Sequence, residues 1–113
     1  MKNIHINYVE FKAKDLQKVK AFYSGVFGWT FTDYGPDYTA FSKSGLEGGF
    51  EKTENDIANG ALIVLYHQDL EAIQQKVEQA GGTIAKNIFS FPGGRRFHFK
   101  DPSGNELAIW SDK

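Results

Sequence analysis

One structural plan is written twice along this chain, and the repetition restricts the fold more than any other feature of the sequence. In the first copy, His5 to Phe11 alternates as a strand does, with Ile6, Tyr8 and Glu10 on one side and Asn7, Val9 and Phe11 on the other. Asp15 follows where a helix N-cap belongs, because its carboxylate can accept from first-turn amides that have no intrahelical partner. Leu16, Val19, Phe22, Tyr23 and Val26 then recur at helical spacing, with Gly25 and Gly28 placed to end the helix. In the second copy Ala61 to Tyr66 is the apolar strand and Asp69 the matching cap. Leu70, Ile73, Val77 and Ala80 form its stripe, and Gly81-Gly82 its stop. Each helix leads into a short strand, Trp29 to Thr32 or Thr83 to Ala85, and then into a hairpin. The first hairpin is expected over Tyr38 to Ser42 and Leu46 to Glu51, turning through Lys43-Ser44-Gly45. The second runs Arg95 to Lys100 and Glu106 to Ser111, turning through Asp101-Pro102-Ser103-Gly104-Asn105 with a bulge at Gly104. The resulting expectation is α+β: two βαβββ modules, about 4–52 and 61–111, in a single domain of 113 residues.

Composition narrows the classes of function. Thirteen Lys/Arg against 14 Asp/Glu give a formal charge of −1, so the basic footprint of a nucleic-acid binder is missing. Cysteine is absent, which excludes disulfides, thiolate nucleophiles and Cys-ligated metals. The longest apolar stretch, Ala61 to Tyr66, is far short of a membrane span. Met1-Lys2-Asn3 leads straight into patterned sequence, so a cytoplasmic protein is expected. The 12 glycines and 15% aromatic residues suit a strand-rich protein with tight turns and an aromatic interior.

Three segments carry a likeness to known proteins: VEFKAKDLQKVKAFYSGVFGW (Val9 to Trp29), HQDLEAIQQKVEQAGGTI (His67 to Ile84) and FKDPSGNELAIW (Phe99 to Trp110). In that order they resemble the vicinal oxygen chelate superfamily of glyoxalase I, bleomycin-resistance proteins, fosfomycin-resistance enzymes and extradiol dioxygenases. The resemblance runs from about Ile4 to Ser111. It implies two βαβββ modules forming a curved mixed sheet around a cavity for a small-molecule ligand, commonly in a homodimer. Metal-using members place a His, Glu or Gln on the first and last strand of each module. Counting seven residues back from Asp15 and Asp69 puts the first-strand positions at Tyr8 and Leu62. Counting seven on from Asp101 gives Ala108, and superposing the hairpins through Gly45 and Gly104 gives Gly49. None of these four offers a His nitrogen or a carboxylate oxygen. The resemblance therefore implies no metal and no other cofactor here, and the metal-dependent activities do not carry over. A displaced set of Glu10, Glu51, Glu106 and His98, which keeps the inward parity of the strands, is the alternative.

Parity also assigns the faces. A turn through Asp101 to Asn105 pairs Lys100 with Glu106, His98 with Ala108 and Arg96 with Trp110. Phe97, Phe99, Leu107 and Ile109 then face the helices, while Arg96, His98, Lys100, Glu106, Ala108 and Trp110 face the other way. The same rule adds Tyr8, Glu10, Thr39, Phe41, Gly49, Glu51, Leu62 and Val64 to that second face. Tyr8, Glu10, Phe41, Leu62, Arg96, His98 and Trp110 are the ligand-binding candidates, with His98 and Glu10 as candidates for catalysis. Each admits two roles. An imidazole ordinarily titrates near neutrality, so His98 is either a general acid/base or a polar neighbour of Lys100 and Glu106. Glu10 is a base oriented by the Tyr8 phenol or part of a hydrogen-bonded structure. Arg96 clamps a carboxylate or phosphate, or stacks as a cation on Trp110. Trp110 and Phe41 stack on a planar ligand or fill the interior. His5 and His67 are expected to face water, and Phe91-Pro92-Gly93-Gly94 is placed to act as a lid. The expected function is metal-independent binding of a small, aromatic molecule. The alternative is a lyase or isomerase using the displaced metal set or His98.

Overall fold

The computed structural model describes Asn3 and residues 6–113. Its elements run β1 (Tyr8–Ala13), α1 (Leu16–Phe27), β2 (Thr30–Asp33), β3 (Tyr38–Ser42), β4 (Glu47–Lys52), β5 (Ile63–Tyr66), α2 (Leu70–Gln79), β6 (Thr83–Phe91), β7 (Gly94–Lys100) and β8 (Glu106–Ser111). Both expected caps form. The Asp15 carboxylate accepts from the Lys18 amide at 3.2 Å, and that of Asp69 from the Ala72 amide at 3.1 Å. Gly28 closes α1 in the left-handed conformation at φ 76°, whereas Gly25 lies inside the helix.

The chain divides into two compact units, Met1–Asp56 and Ile57–Lys113. In the first, the strand order is β1-β4-β3-β2, with β1 parallel to β4 and the other neighbours antiparallel. In the second the order is β5-β8-β7-β6, again with one parallel pair, β5 and β8. The plan repeats strand for strand, so the α+β reading of two βαβββ modules holds. The fillings differ. The first core is aromatic: Phe22, Tyr23, Trp29, Phe41 and Phe50 are buried, with Tyr23 and Trp29 stacked at 4.8 Å. The second uses Leu70, Ile73, Val77, Leu107 and Ile109 around Phe97 and Phe99.

The second hairpin has the expected register, pairing Lys100 with Glu106, His98 with Ala108 and Arg96 with Trp110. Its turn is held by Asp101, whose Oδ1 accepts from the amides of Ser103, Gly104 and Asn105 at 2.8–3.0 Å. Gly104 takes φ 101°, which a side chain would resist.

The first hairpin corrects the sequence reading. Ala40 pairs with Gly49 and Phe41 with Gly48, so the turn is one residue longer than Lys43-Ser44-Gly45. It places Lys43 at φ 72° and Gly45 at φ 94°. A one-residue change of register exchanges the two faces of a strand. Phe41 and Thr39 therefore face the core and not a ligand. Phe41 is 2% exposed and stacked on Trp29 at 4.6 Å. Gly48 gives it room, because a Cβ there would overlap Cζ of the Phe41 ring and lie 2.8 Å from its Cε1.

Other boundaries shift as well. β1 is described from Tyr8, and the expected start at His5 falls outside the described residues. β5 begins at Ile63, leaving Leu62 just ahead of it. β6 continues to Phe91, six residues beyond the expected end, through register shifts between Ile84 and Lys86 and between Lys86 and Phe89. Phe91 pairs with Gly94, so Pro92-Gly93 is a two-residue turn and not a lid loop. Gly93 sits at φ 107°, as the third position of a type II turn after proline requires.

Candidate functional site

In the first unit, Tyr8, Glu10 and Lys12 of β1 share a face with Gly49 and Glu51 of β4 and with Tyr38 of β3. The Tyr8 and Tyr38 hydroxyls lie 2.5 Å apart. Burial, then the bonds to Tyr8 and Glu10, push the Tyr38 phenol well above the usual tyrosine range. Lys12 reaches Glu10 at 3.2 Å and also pairs with Glu51, so one ammonium bridges both carboxylates. A Cβ on Gly49 would lie 2.7 Å from Cζ of Tyr38. The Tyr38 ring thus fills the space that a side chain at position 49 would need.

In the second unit, β7 and β8 bring together the remaining polar candidates. His98 is 4% exposed, and its Nδ1 lies 2.9 Å from Oε2 of Glu106. A carboxylate there holds a proton on Nδ1 and leaves Nε2 as the free ring position. Phe89 stacks on the imidazole, with ring centroids 5.9 Å apart and planes at 29°. The Arg96 guanidinium lies 5.4 Å from the Phe89 centroid and 5.7 Å from that of Phe91. Of the two roles open to Arg96, the stack is made on two phenylalanines from β6 in place of Trp110. Trp110 instead meets Tyr66 edge-on at 5.2 Å and Phe91 at 6.5 Å.

A cleft of about 230 Å³ opens beside the dyad, lined by Asn59, Gly60, Ala61, Leu62, His98 and Glu106. Asn59 anchors its rim: Nδ2 donates to the Gly104 carbonyl at 3.2 Å, and Oδ1 accepts from the Glu106 amide at 3.0 Å. Leu62, Val64 and Tyr66 leave an apolar strip exposed along the same edge of the sheet. His67 is half-buried, and its Nδ1 accepts from the Asp69 amide at 2.9 Å, so it belongs to the helix entry and does not simply face water.

Tyr38, Asn59, Phe89 and Phe91 were not among the candidates from sequence. Phe89 and Phe91 were legible, since a Pro92-Gly93 turn sets Phe91 opposite Gly94 and Phe89 opposite Arg96. Tyr38 was hidden by the register of the first hairpin, and Asn59 had no local signal.

The donors do not suit a divalent metal. At the four family positions stand a phenol, a glycine occluded by another phenol, a leucine and an alanine. Of the displaced alternative, Glu10 and Glu51 pair with Lys12 within the first unit, and Glu106 pairs with His98 within the second. Among the described residues no group of three or more His, Asp or Glu is placed to hold a metal. Nor is any described helix long and apolar enough to cross a membrane.

Comparison with known proteins places these features in context. Residues 5–109 match the family model for the Glyoxalase/Bleomycin resistance protein/Dioxygenase superfamily. The chain is 31% identical to the anthracycline biosynthesis protein DauV of Streptomyces sp. (strain C5), over 79% of this chain. It spans only 40% of that relative's length. It is 28% identical to the glutathione transferase FosA of Serratia marcescens, over 92% of this chain and 78% of the other. Among solved structures, a glyoxalase/bleomycin resistance protein/dioxygenase family enzyme from Burkholderia phytofirmans PsJN matches with a TM-score of 0.82. The two are 17% identical over 95% of this chain and 98% of the other. The fosfomycin resistance protein FosX from Mesorhizobium loti matches at 0.77 and 15%, over 98% and 93%.

Proposed function

We propose that the chain, which belongs to the Glyoxalase/Bleomycin resistance protein/Dioxygenase superfamily, is a metal-independent binding protein for a small aromatic molecule. The observation that carries this reading is the donor inventory. Three of the four family positions offer no donor at all, and the space at Gly49 is taken by the Tyr38 phenol. The binding face is that of the second unit, where Leu62, Arg96, His98 and Trp110 combine apolar walls with an imidazole and a guanidinium. In the first unit, Tyr8 and Glu10 share a face with Tyr38 and are the polar candidates there. The relative named for anthracycline biosynthesis supports a planar, polycyclic ligand.

Metal analysis of protein purified without chelator tests this reading. Substoichiometric metal is expected; one Ni, Zn, Fe or Mn per chain would overturn it. A second reading rests on the His98–Glu106 pair, which has the geometry of an oriented general base for a lyase or isomerase. Turnover of a bound compound that is lost in His98→Gln would favour it. A cytoplasmic homodimer is part of the proposal, and a concentration-independent monomer in sedimentation would exclude the dimer.

A further inference from the structure

Among the described residues, two buried side-chain nitrogens have no hydrogen-bond partner: Nε of Arg96 and Nε2 of His98. A buried polar atom without a partner is disfavoured, since it has lost its water and gained nothing in return. Arg96 and His98 stand two residues apart on β7, so both nitrogens belong to one face of one sheet. One side chain, Phe89, touches both residues. Phe89 stacks on the His98 ring and lies under the Arg96 guanidinium, yet it is itself 36% exposed. An apolar ring with an open outer side can turn about χ1 and uncover what lies beneath it.

Charge adds a second constraint. Lys86 of β6 pairs in register with His98, and Arg96 and Lys100 flank His98 on β7. Against these three cations the site sets one carboxylate, Glu106 of β8, already committed to Nδ1. The face therefore favours an anion. Phe91 and Trp110 provide aromatic surface beside it.

We infer that Arg96 Nε and His98 Nε2 jointly anchor an acidic oxygen carried by an aromatic ligand, a carboxylate or a phenol, whose ring displaces Phe89 and lies against Phe91 and Trp110. The inference rests on the aromatic-binding role proposed above. When the ligand arrives as an acid, its O–H bond breaks with the electron pair left on oxygen, and the proton forms the N–H bond at Nε2. The Nδ1 proton stays on the Glu106 hydrogen bond, and the oxygen anion then accepts from both Arg96 Nε–H and His98 Nε2–H. A ligand that arrives ionised binds together with one proton taken from solvent, which forms the same N–H bond at Nε2.

Calorimetric titration of the full chain with 2-naphthoate and with its neutral near-isostere 2-naphthamide tests the anchor. The anion should bind about tenfold tighter or more, as charge-assisted hydrogen bonds in a buried site allow. In Arg96→Met, which keeps the aliphatic stem against Phe89, the ratio of the two affinities should fall towards one. In the unmodified protein, naphthoate should move the ¹⁵N resonance of His98 Nε2 towards the protonated position, a readout that does not depend on any variant folding. Equal affinity for the two probes, or an unmoved Nε2 resonance, would overturn the anchor and leave the aromatic-binding role standing. Failure of both probes to bind up to their solubility limits would overturn that role, and the anchor with it.

Discussion

Replacing Asp101 by alanine should remove a large share of the stability of the second unit. Asp101 is 4% exposed, and its carboxylate accepts from the amides of Ser103, Gly104 and Asn105, and from Nδ2 of Asn105 at 3.0 Å. Ser103 and Gly104 are half-buried, so water can replace the lost acceptor at a cost of about 1 kcal/mol each. Asn105 is 3% exposed, and the loss of this acceptor by its two donors costs about 1–3 kcal/mol each. Bonds to one acceptor are not additive, so the expected loss is about 3–5 kcal/mol. That is a large fraction of the ~5–15 kcal/mol by which a domain is ordinarily stable. Asp101→Asn should lose roughly half as much, about 1–3 kcal/mol, because one oxygen still serves the three amides while the new NH₂ opposes Nδ2 of Asn105. Urea unfolding followed by far-ultraviolet circular dichroism gives both values, provided the slope with denaturant is unchanged. A loss below about 1 kcal/mol in Asp101→Ala would refute the reasoning, since it would mean that water satisfies the whole turn.

Two further perturbations concern the first unit. With the Tyr38 phenol raised by burial and by its bonds to Tyr8 and Glu10, the unfolded chain ionises there first, at a pH of about 10. Stability tied to Tyr38 is thus intact below that pH and falls as the pH climbs towards the native value. Tyr38→Phe should flatten this alkaline loss in urea midpoints, leaving the smaller contribution of Tyr66, whose phenol is raised by its bond to Asp112; an unchanged slope would count against the assignment. Gly49→Ala should destabilise by about 1–3 kcal/mol through overlap with the Tyr38 ring, and by far less in a Tyr38→Ala background, so equal losses in the two backgrounds would remove the overlap as the cause.

How much of this was readable from the sequence depended on how tightly each turn is specified. Asp101-Pro102-Ser103-Gly104-Asn105 has an acceptor, a φ-fixing proline and a glycine for the left-handed position, so its register and both faces of β7 and β8 followed. Lys43-Ser44-Gly45-Leu46 carries no such specification. Lysine rarely adopts the φ of 72° it takes here, and without that knowledge the turn counted one residue short. The slip exchanged Phe41, a core residue, for Tyr38, the residue that closes the Gly49 position. β6 was cut short for a different reason: its irregular register breaks the two-residue alternation on which strands are recognised. Phe89, whose ring meets both His98 and Arg96, lay in the part that was lost.

The unequal filling of the two modules gives the chain a built-in pair of optical reporters. Trp29 is sealed in the aromatic core of the first unit at 6% exposure, while Trp110 lies half-buried on the proposed binding face of the second. Emission from an indole shifts to the red as water reaches it, so the two contribute separable bands. Trp29→Phe leaves a fluorophore that senses the second unit alone and, on the proposed function, its ligand. Trp110→Phe leaves one that senses only whether the first core is intact. The order in which the two halves of the repeat come apart can therefore be followed by colour, without attaching a label.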